Sequence, residues 1–318
     1  MTGAKLYLAA WSLAPKIPAR LGYALANRGA DVAWLHQRLR PSKRGVGQLE
    51  ANLHTLTGNS DVRGLSREGM RSYMRYFYEA FALAGVQPEQ LRHRVRVEGE
   101  FAALKADVAK ANVVFALSHS GNWDLAGAWA SQELATVLTV AEKVEPPQLF
   151  EKFIEFRQGL GMEIIAQAPG QKVFEQLVQK AQQGHYFIPL LADRDLSAAG
   201  IEVDFGGQPA RVAAGPAVLA ARTHSPLWMG AISYERLEGQ RRRLAGSSWG
   251  IVIHVRKVAD QVSNDRGDIF DKTQAWASQM AQLLARYPQD WHMLQAIYTQ
   301  DLDLERLARS HARQREES

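Results

Sequence analysis

A histidine and an aspartate stand five positions apart in the segment His119-Ser-Gly-Asn-Trp-Asp124. The segment directly follows an apolar run, Val113–Leu117, which has the length of a buried strand. A carboxylate that holds one imidazole nitrogen leaves the other able to take a proton from an alcohol, as acyl transfer to a hydroxyl group requires. Because this spacing also arises by chance, a purely structural His–Asp hydrogen bond is the alternative.

The residues between the pair favour a tight turn into a helix. Ser120 and Gly121 suit the turn, and either Asn122 or Ser120 could cap a helix that begins near Asp124. Such a cap would leave backbone N–H groups directed at the site, where they can stabilise an oxyanion.

Further ionisable residues follow other predicted strands. Glu142 comes directly after Thr136–Ala141, and Arg157 lies on a predicted helix over 147–159. Glu142 and Arg157 could form either an ion pair that fixes the site or a solvated surface pair, and both interpretations are open. Asp193 and Arg194, in the run Asp193-Arg-Asp195, follow the predicted strand Tyr186–Leu191. They could hold the surroundings of the histidine or bind a phosphorylated substrate.

Another glycine-containing segment leads to Arg211 and then to Gly215-Pro216. Arg211 supplies a fixed positive charge, and Pro216 suits the first turn of a helix whose N-terminus could accept an anion. A hairpin turn leading into a helix is the alternative.

Short β-rich runs alternate with helical segments from residue 111 onward. This alternation predicts an α/β fold with a mixed central sheet flanked by helices, and the carboxyl ends of the strands are the expected place for the site. The strands predicted are Val113–Leu117, Thr136–Ala141, Glu163–Ala166, Tyr186–Leu191, Leu227–Tyr234 and Trp249–Val255, with helices near 124–133, 147–159, 171–183, 215–223 and 268–286.

The N-terminal region is basic and amphipathic. Residues 1–44 carry a net charge of +7, and the other 274 residues sum to −2. Leu21, Leu25, Val32, Leu35 and Leu39 recur at helical spacing, which suits either a helix lying on an anionic membrane surface or a helix packed on the core. The apolar run Leu6–Ala14 is too short to span a bilayer and is interpreted as retained.

Several smaller expectations concern the domain count and individual segments of the chain. We expect one domain over 1–318 with a charged tail at 300–318. Ser66 is expected to cap a helix whose apolar stripe lies in the core, Arg241–Arg243 to form a solvated loop, and Trp291–Met293 to be a packed segment with a satisfied histidine. The stripe consists of Met70, Tyr73, Met74, Phe77 and Phe81.

Composition excludes several classes of site. The chain has no cysteine, which excludes disulfides, thiolate metal sites and cysteine nucleophiles. The histidines show no metal-ligand repeat, so we expect neither a metal nor a bound cofactor. A nucleic-acid partner is disfavoured because the basic charge is confined to the N-terminus.

Together the segments resemble the bacterial lysophospholipid acyltransferase superfamily, in its lipid A acyltransferase branch, and most closely the phosphatidylinositol mannoside acyltransferases of actinobacteria. The residues that carry the resemblance run in order over about 180 positions and are His119–Gly127, Val140–Glu142, Phe153–Arg157, Asp193–Leu196, Val203–Gly206, Ala214–Pro216 and Asp290–Gln295.

The resemblance implies transfer of an acyl group, typically palmitoyl, from acyl-CoA to the mannose 6-hydroxyl of phosphatidylinositol mannosides. It implies a peripheral enzyme on the cytoplasmic face of the inner membrane. It assigns His119 as general base, Asp124 as its partner, and Glu142 and Arg157 as supporting groups. The family usually has glutamate where this chain has Asp193, which is one methylene shorter.

Other functions remain open at this stage. One is a lipid A-type or other lysophospholipid O-acyltransferase, and another is a thioesterase or esterase that uses the same dyad on water. The non-enzymatic alternative is a peripheral lipid-binding protein.

Overall fold

The computed structural model describes residues 13–40, 44–142, 147–167, 173–305 and 307–309. Seven strands form one mixed sheet in the order β1-β9-β8-β2-β5-β3-β4, and β6 and β7 form a separate two-stranded hairpin. The strands are β1 Val95–Gly99, β2 Val113–Leu117, β3 Val137–Glu142, β4 Met162–Gln167, β5 Phe187–Leu191, β6 Ile201–Asp204, β7 Pro209–Val212, β8 Leu227–Arg236 and β9 Trp249–Ala259.

Helices cover both faces of the sheet, which confirms the predicted α/β class. The helices are α1 Ala19–Leu39, α2 Val46–Thr57, α3 Arg63–Ala82, α4 Pro88–Arg94, α5 Phe101–Val108, α6 Trp123–Glu133, α7 Pro147–Gly159, α8 Val173–Gln183, α9 Gly215–Thr223, α10 Gly239–Ala245 and α11 Arg266–Arg286. All six predicted strands are present, β1 was not predicted, and β6 and β7 form the hairpin that was one of two alternatives for that segment.

Strand direction brings the charged segments to one edge of the sheet. β8, β2, β5, β3 and β4 are mutually parallel, whereas β9 runs antiparallel to β8, and β1 follows β9. β2 is buried along its whole length, as its uniformly apolar sequence requires. The carboxyl ends of β2 and β5 therefore lie side by side, with the N-terminal end of β9 at the same edge.

Helix α1 packs on α3 through a face other than its leucine-rich stripe, for which packing on the core was one of two alternatives. Its inner face consists of small and aromatic residues, among them Tyr23, Ala30 and Trp34, all buried. The predicted stripe, from Leu21 to Leu39, points outward with its members 51–73% exposed. The idea that this stripe is the packing face is therefore wrong, because glycine and alanine let α3 approach on the other side.

Two local expectations about helices need correction. α3 begins at Arg63, so Ser66 lies inside it and bonds Trp34, Glu50 and the Arg63 carbonyl instead of capping the helix. In its stripe Met70 and Phe81 are buried, but the other three members are half-buried. The deepest face of α3 carries polar residues instead.

The segment after β8 is also ordered differently from the prediction. Arg241–Arg243 belong to helix α10, and Arg241 pairs with Glu235 rather than lying in a solvated loop. Among the helices of the described residues, none is both long enough and apolar enough to cross a membrane.

Candidate active site

The imidazole of His119 is held by Asp193. The Nδ1 atom of His119 lies 2.6 Å from Oδ1 of Asp193, and the backbone N–H of His119 donates to Oδ2 at 3.0 Å. A carboxylate can only accept, so Nδ1 carries the proton and Nε2 is the basic nitrogen of the neutral ring. The His119 side chain is 34% exposed, so a substrate can reach it.

Asp193 is buried and ionised. Burial alone would raise its pKa, but the charge of His119 and the hydrogen bonds from His119 and Trp291 outweigh burial and hold the pKa below its usual value. The indole Nε1 of Trp291 donates to Oδ2 of Asp193 at 2.8 Å. The carboxylate thus has three donors, and the shorter side chain of aspartate reaches the imidazole.

Asp124, the partner assigned to His119 from the sequence, has other hydrogen-bond partners. Its Oδ1 accepts from Nε of Arg157 at 2.7 Å, and its Oδ2 accepts from the hydroxyl of Tyr76 at 2.9 Å. α6 begins one residue before Asp124, so the helix directs this side chain toward α3 and α7. The sequence assignment is corrected: Asp193 is the carboxylate on Nδ1 of His119.

The Arg157 side chain is only 17% exposed and pairs with the buried Asp124, so the surface-pair interpretation of this residue is wrong. Burial would lower its pKa, but the negative charge of Asp124 and the hydrogen bonds of Asp124 and Tyr76 hold it above its ordinary value. The Asp124–Arg157 pair therefore ties the start of α6 to the end of α7.

The turn from His119 to Asn122 has the predicted cap. Oδ1 of Asn122 accepts from the Leu125 N–H at 2.9 Å. Gly121 has φ +56°, and a Cβ there would lie 2.7 Å from the Ile232 carbonyl oxygen, so this position needs glycine. The backbone N–H groups of His119, Ser120 and Gly121 already donate hydrogen bonds to acceptors within the protein.

Residues near the end of the chain close the site from the other side. The N–H of His292 donates to the His119 carbonyl at 2.8 Å, and the Gly121 N–H donates to the Asp290 carbonyl at 2.9 Å. Trp291–Met293 are buried, as predicted, but only Nε2 of His292 has a partner, Ser72, and its Nδ1 has none among the described residues.

Two titratable groups in this closing segment are strongly affected by burial. Burial raises the pKa of Asp290 to about 6 despite hydrogen bonds from Ser72 and Tyr234. Burial also lowers the pKa of His292 to about 3, so His292 is neutral at physiological pH. Neutral His292 adds no second positive charge beside His119.

Glu79 of α3 connects the N-terminal helices to the turn at His119–Asn122, which we call the catalytic turn. It is buried and accepts from four side chains on four different elements. The donors are Tyr23 at 2.6 Å, Asn122 at 2.8 Å, Tyr234 at 3.1 Å and Arg94 at 2.5 Å. Because Asn122 caps α6, Glu79 fixes the residue that starts the catalytic helix.

We expect Glu79→Gln to lower the free energy of unfolding by about 1.5–3 kcal/mol, the range for a lost hydrogen bond to a charged group. Gln cannot balance the buried charge of Arg94. Urea denaturation measures the change. Glu89→Gln is the control, since Glu89 forms exposed pairs with Arg92 and His93 that contribute about 1 kcal/mol or less. Equal losses in the two variants would contradict the role of Glu79.

An apolar cavity lies between the sheet and helices α5 and α6. Its volume is about 40 Å³, and every residue that lines it is apolar. Leu117 and Trp123, which flank the catalytic turn, form part of the wall, and the Trp123 ring contacts the His119 ring edge-on at 5.9 Å. The aromatic part of the wall includes Phe101, Phe115, Trp129 and Phe187.

The remaining predicted site residues lie farther from the dyad. Arg211 donates to the carbonyls of Ser197 and Gly200, and the segment around it is the hairpin β6–β7 leading into α9, as one alternative held. Arg194 donates to the Ala296 carbonyl at 3.3 Å. Glu142 ends β3, and its side chain lies outside the described residues.

Sequence reasoning missed the polar face of α3 and the indole of Trp291. Ser72, Tyr76 and Glu79 recur at helical spacing, but such a face is usually solvated, so only its position beside an aromatic stripe could have revealed it. Among the described residues no cluster of histidine and carboxylate side chains is arranged to hold a metal.

Comparison with known proteins identifies the family of the chain. A sequence model described as bacterial lipid A biosynthesis acyltransferase matches residues 1–299. A phosphatidylinositol mannoside acyltransferase of Mycolicibacterium smegmatis is 34% identical over 307 residues, which are 95% of this chain and 93% of that protein. A protein of the same name from Mycobacterium tuberculosis is 36% identical over 274 residues, covering 85% of this chain and 82% of its own length.

Proposed function

Since the chain belongs to the bacterial lipid A biosynthesis acyltransferase family, we propose that it transfers a long-chain acyl group, palmitoyl above others, from acyl-CoA to the mannose 6-hydroxyl of phosphatidylinositol mannosides. The printed names of the relatives support the acceptor. The observation that carries the chemistry is the buried Asp193 carboxylate on Nδ1 of an accessible His119.

The reaction needs no metal and no nucleophilic side chain. Nε2 of His119 removes the proton from the sugar hydroxyl while the oxygen attacks the thioester carbonyl. The tetrahedral intermediate collapses as the C–S bond breaks, and the imidazolium returns its proton to the departing thiolate of coenzyme A. Asp193 keeps the imidazole in the required tautomer and balances its positive charge during the reaction.

The oxyanion of the intermediate needs hydrogen-bond donors. The N–H groups of Trp123 and Asp124, in the first turn of α6, have no acceptor among the described residues. First-turn N–H groups lie at the positive end of a helix, where negative charge is stabilised. We assign oxyanion stabilisation to them rather than to the N–H groups of the preceding turn.

The apolar lining of the cavity suits a long acyl group, and the wall has to open to admit one, because the cavity volume is about 40 Å³. Each methylene transferred from water into such a site contributes about 0.8 kcal/mol. Because Trp123 belongs to both the cavity wall and the surroundings of His119, an acyl chain in the cavity places its thioester at the catalytic turn.

Incubation with labelled palmitoyl-CoA and a panel of lipid acceptors, followed by mass spectrometry of the products, tests the proposal. We expect an acylated phosphatidylinositol mannoside and release of coenzyme A that depends on the acceptor. Rapid release of free fatty acid without acceptor would instead identify a thioesterase. A product with lipid A or a lysophospholipid, and none with the mannoside, would overturn the proposed acceptor.

We propose further that the protein is peripheral at the cytoplasmic face of the inner membrane and that α1 lies against it. The outward stripe of α1 combines exposed leucines with Arg20 and Arg28, the combination that binds anionic lipid surfaces. Deleting residues 1–40 would be a poor test, because Tyr23 and Trp34 on the inner face are part of the core.

Replacing Leu21, Leu25 and Leu35 with serine should weaken binding to anionic vesicles about tenfold or more, since even partial burial of each leucine contributes on the order of 1 kcal/mol. Vesicle sedimentation measures the change. The control is Phe270→Ser/Leu304→Ser, which removes equally exposed apolar side chains elsewhere. Unchanged binding of the α1 variant would rule out the membrane role of this stripe.

A further inference from the structure

Two arginines enclose the indole of Trp249 at the same edge of the sheet as the site. The guanidinium carbon of Arg75 lies 3.6 Å from the ring centroid of Trp249, and that of Arg236 lies 3.9 Å from it. One face of a ring cannot accommodate two guanidinium groups at such distances, so they occupy opposite faces. We call Arg75, Trp249 and Arg236 the arginine stack.

Arg75 is a buried cation that contacts aromatic rings but pairs with no carboxylate among the described residues. It is 6% exposed, and within the described part of the chain it forms no hydrogen bond or ion pair. Its Nε atom is buried and unsatisfied, and its guanidinium contacts the rings of Trp249 and Tyr234. Buried charges in proteins are normally paired and hydrogen-bonded, so this one indicates a counter-ion supplied from outside.

The exposed end of the stack carries more uncompensated charge. Burial and the positive charges of Arg75 and Arg242 lower the pKa of Arg236. Across the residues that the structure describes, neither Arg236 nor Arg242 has a carboxylate partner. Guanidinium groups stay protonated at physiological pH, so the repulsion among these side chains persists until an anion arrives.

The nearest carboxylates are engaged elsewhere. Glu79 accepts from Tyr23, Arg94, Asn122 and Tyr234. Asp290 accepts from Ser72 and from the Tyr234 backbone, and Glu235 pairs with Arg96 and Arg241. None of these carboxylates hydrogen-bonds a guanidinium of the stack, although the charge of Arg75 acts on Asp290.

The stack adjoins the helix that carries the outward apolar stripe. Tyr23 of α1 bonds the hydroxyl of Ser247 at 2.7 Å, and Ser247 in turn accepts from the N–H of Trp249 at 3.1 Å. Leu21 and Leu25, both about half exposed, lie two residues on either side of Tyr23. Because Tyr23 lies on the inner face of α1, these leucines point away from the stack, whose exposed end is at Arg236 and Arg242.

We propose that the arginine stack, together with Arg242, binds the phosphate of an anionic lipid headgroup. Guanidinium groups bind phosphate oxygens through paired hydrogen bonds. The exposed Arg236 and Arg242 can contact a phosphate directly, and Arg75, on the other face of the Trp249 indole, adds its positive charge. A lipid headgroup and free phosphate share this chemistry, and the vesicle and inorganic-phosphate arms of the test tell them apart. This inference does not depend on acyl transfer and is tested by binding alone.

The test compares two double variants of the full chain that lose equal charge. Arg236→Gln/Arg242→Gln changes the proposed site, whereas Lys110→Gln/Arg266→Gln removes exposed charges at the opposite edge of the sheet. Sedimentation uses vesicles of phosphatidylcholine with and without phosphatidylinositol. We expect the first variant to bind the phosphatidylinositol vesicles roughly tenfold or more weakly, and the control to bind like the wild type.

Equal losses in both double variants, or a loss that does not require phosphatidylinositol, would overturn the proposal. Arg75→Met separates a ligand site from a structural one: it should weaken the same binding without lowering the melting temperature of the lipid-free protein. A lower melting temperature in that variant, with normal binding by Arg236→Gln/Arg242→Gln, would make the stack structural.

Inorganic phosphate at constant ionic strength is the second probe. If it stabilises the protein while Arg236→Gln/Arg242→Gln binds vesicles normally, the site takes free phosphate and the lipid assignment fails. The variant with serine at Leu21, Leu25 and Leu35 keeps the arginine stack, so its remaining vesicle binding should still require phosphatidylinositol. A failure of the membrane role of α1 can therefore be told apart from a failure of the stack.

Discussion

Replacing His119 with alanine should lower kcat for acyl transfer by about a thousandfold or more, because a positioned general base contributes roughly 10²–10⁴ and no other imidazole at the site can replace it. His292 is buried and neutral, with its Nε2 bonded to Ser72. The rate of transfer from labelled palmitoyl-CoA to phosphatidylinositol mannoside measures the loss.

The fold should survive this change. Asp193 keeps two donors in the variant, the backbone N–H of residue 119 and the indole of Trp291. His119→Gln is the matched control, since glutamine can donate to Asp193 but cannot act as a base. Both variants should melt cooperatively and be inactive, and near-normal transfer by either would refute general-base catalysis by His119.

Replacing Asp193 with asparagine should reduce kcat by about 10²–10⁴, the cost of losing the carboxylate that sets the tautomer in comparable dyads. An amide can offer its N–H to Nδ1, which leaves the proton on Nε2 and removes the base. Without the negative charge, the acid limb of the pH profile of kcat/KM should also move to lower pH by about one unit or more.

Asp124→Asn provides the comparison that separates the two carboxylates. It should leave the position of that acid limb unchanged and instead destabilise the protein, because the buried Arg157 loses its charged partner. Denaturation of each variant gives the stability change. A shifted limb in Asp124→Asn, with a normal limb in Asp193→Asn, would restore the assignment made from the sequence.

Much of the sheet was predictable because its strands are buried on both faces. Val113–Leu117 is a continuous apolar run and was placed with its observed limits. β1 was missed because Val95-Arg-Val-Glu-Gly99, at the edge of the sheet, alternates with charged residues. The hairpin β6–β7 was only one of two alternatives, since its glycines suit a phosphate-binding loop as well as a turn.

The dyad was only half predictable. His119 stands out because it follows a buried strand, but the choice between two carboxylates depends on which strand lies beside β2. That neighbour is β5, which follows β2 by about 70 residues, and strand order is not encoded in local periodicity. The same holds for Trp291, whose indole reaches Asp193 from the far end of the chain.

The closing segment at Asp290–Met293 has a consequence for how the protein is made. Helices α1 to α3 are complete by residue 82, roughly 200 residues before Trp291 leaves the ribosome, and synthesis at about 5–20 residues per second makes that interval on the order of tens of seconds. During this time the nascent chain already carries α1 with its exposed apolar stripe, yet Asp193 lacks its indole donor and the His119 carbonyl lacks its partner. Translation order therefore delays completion of the site until Asp290–Met293 are made, and we expect a product that ends before Asp290 to be inactive.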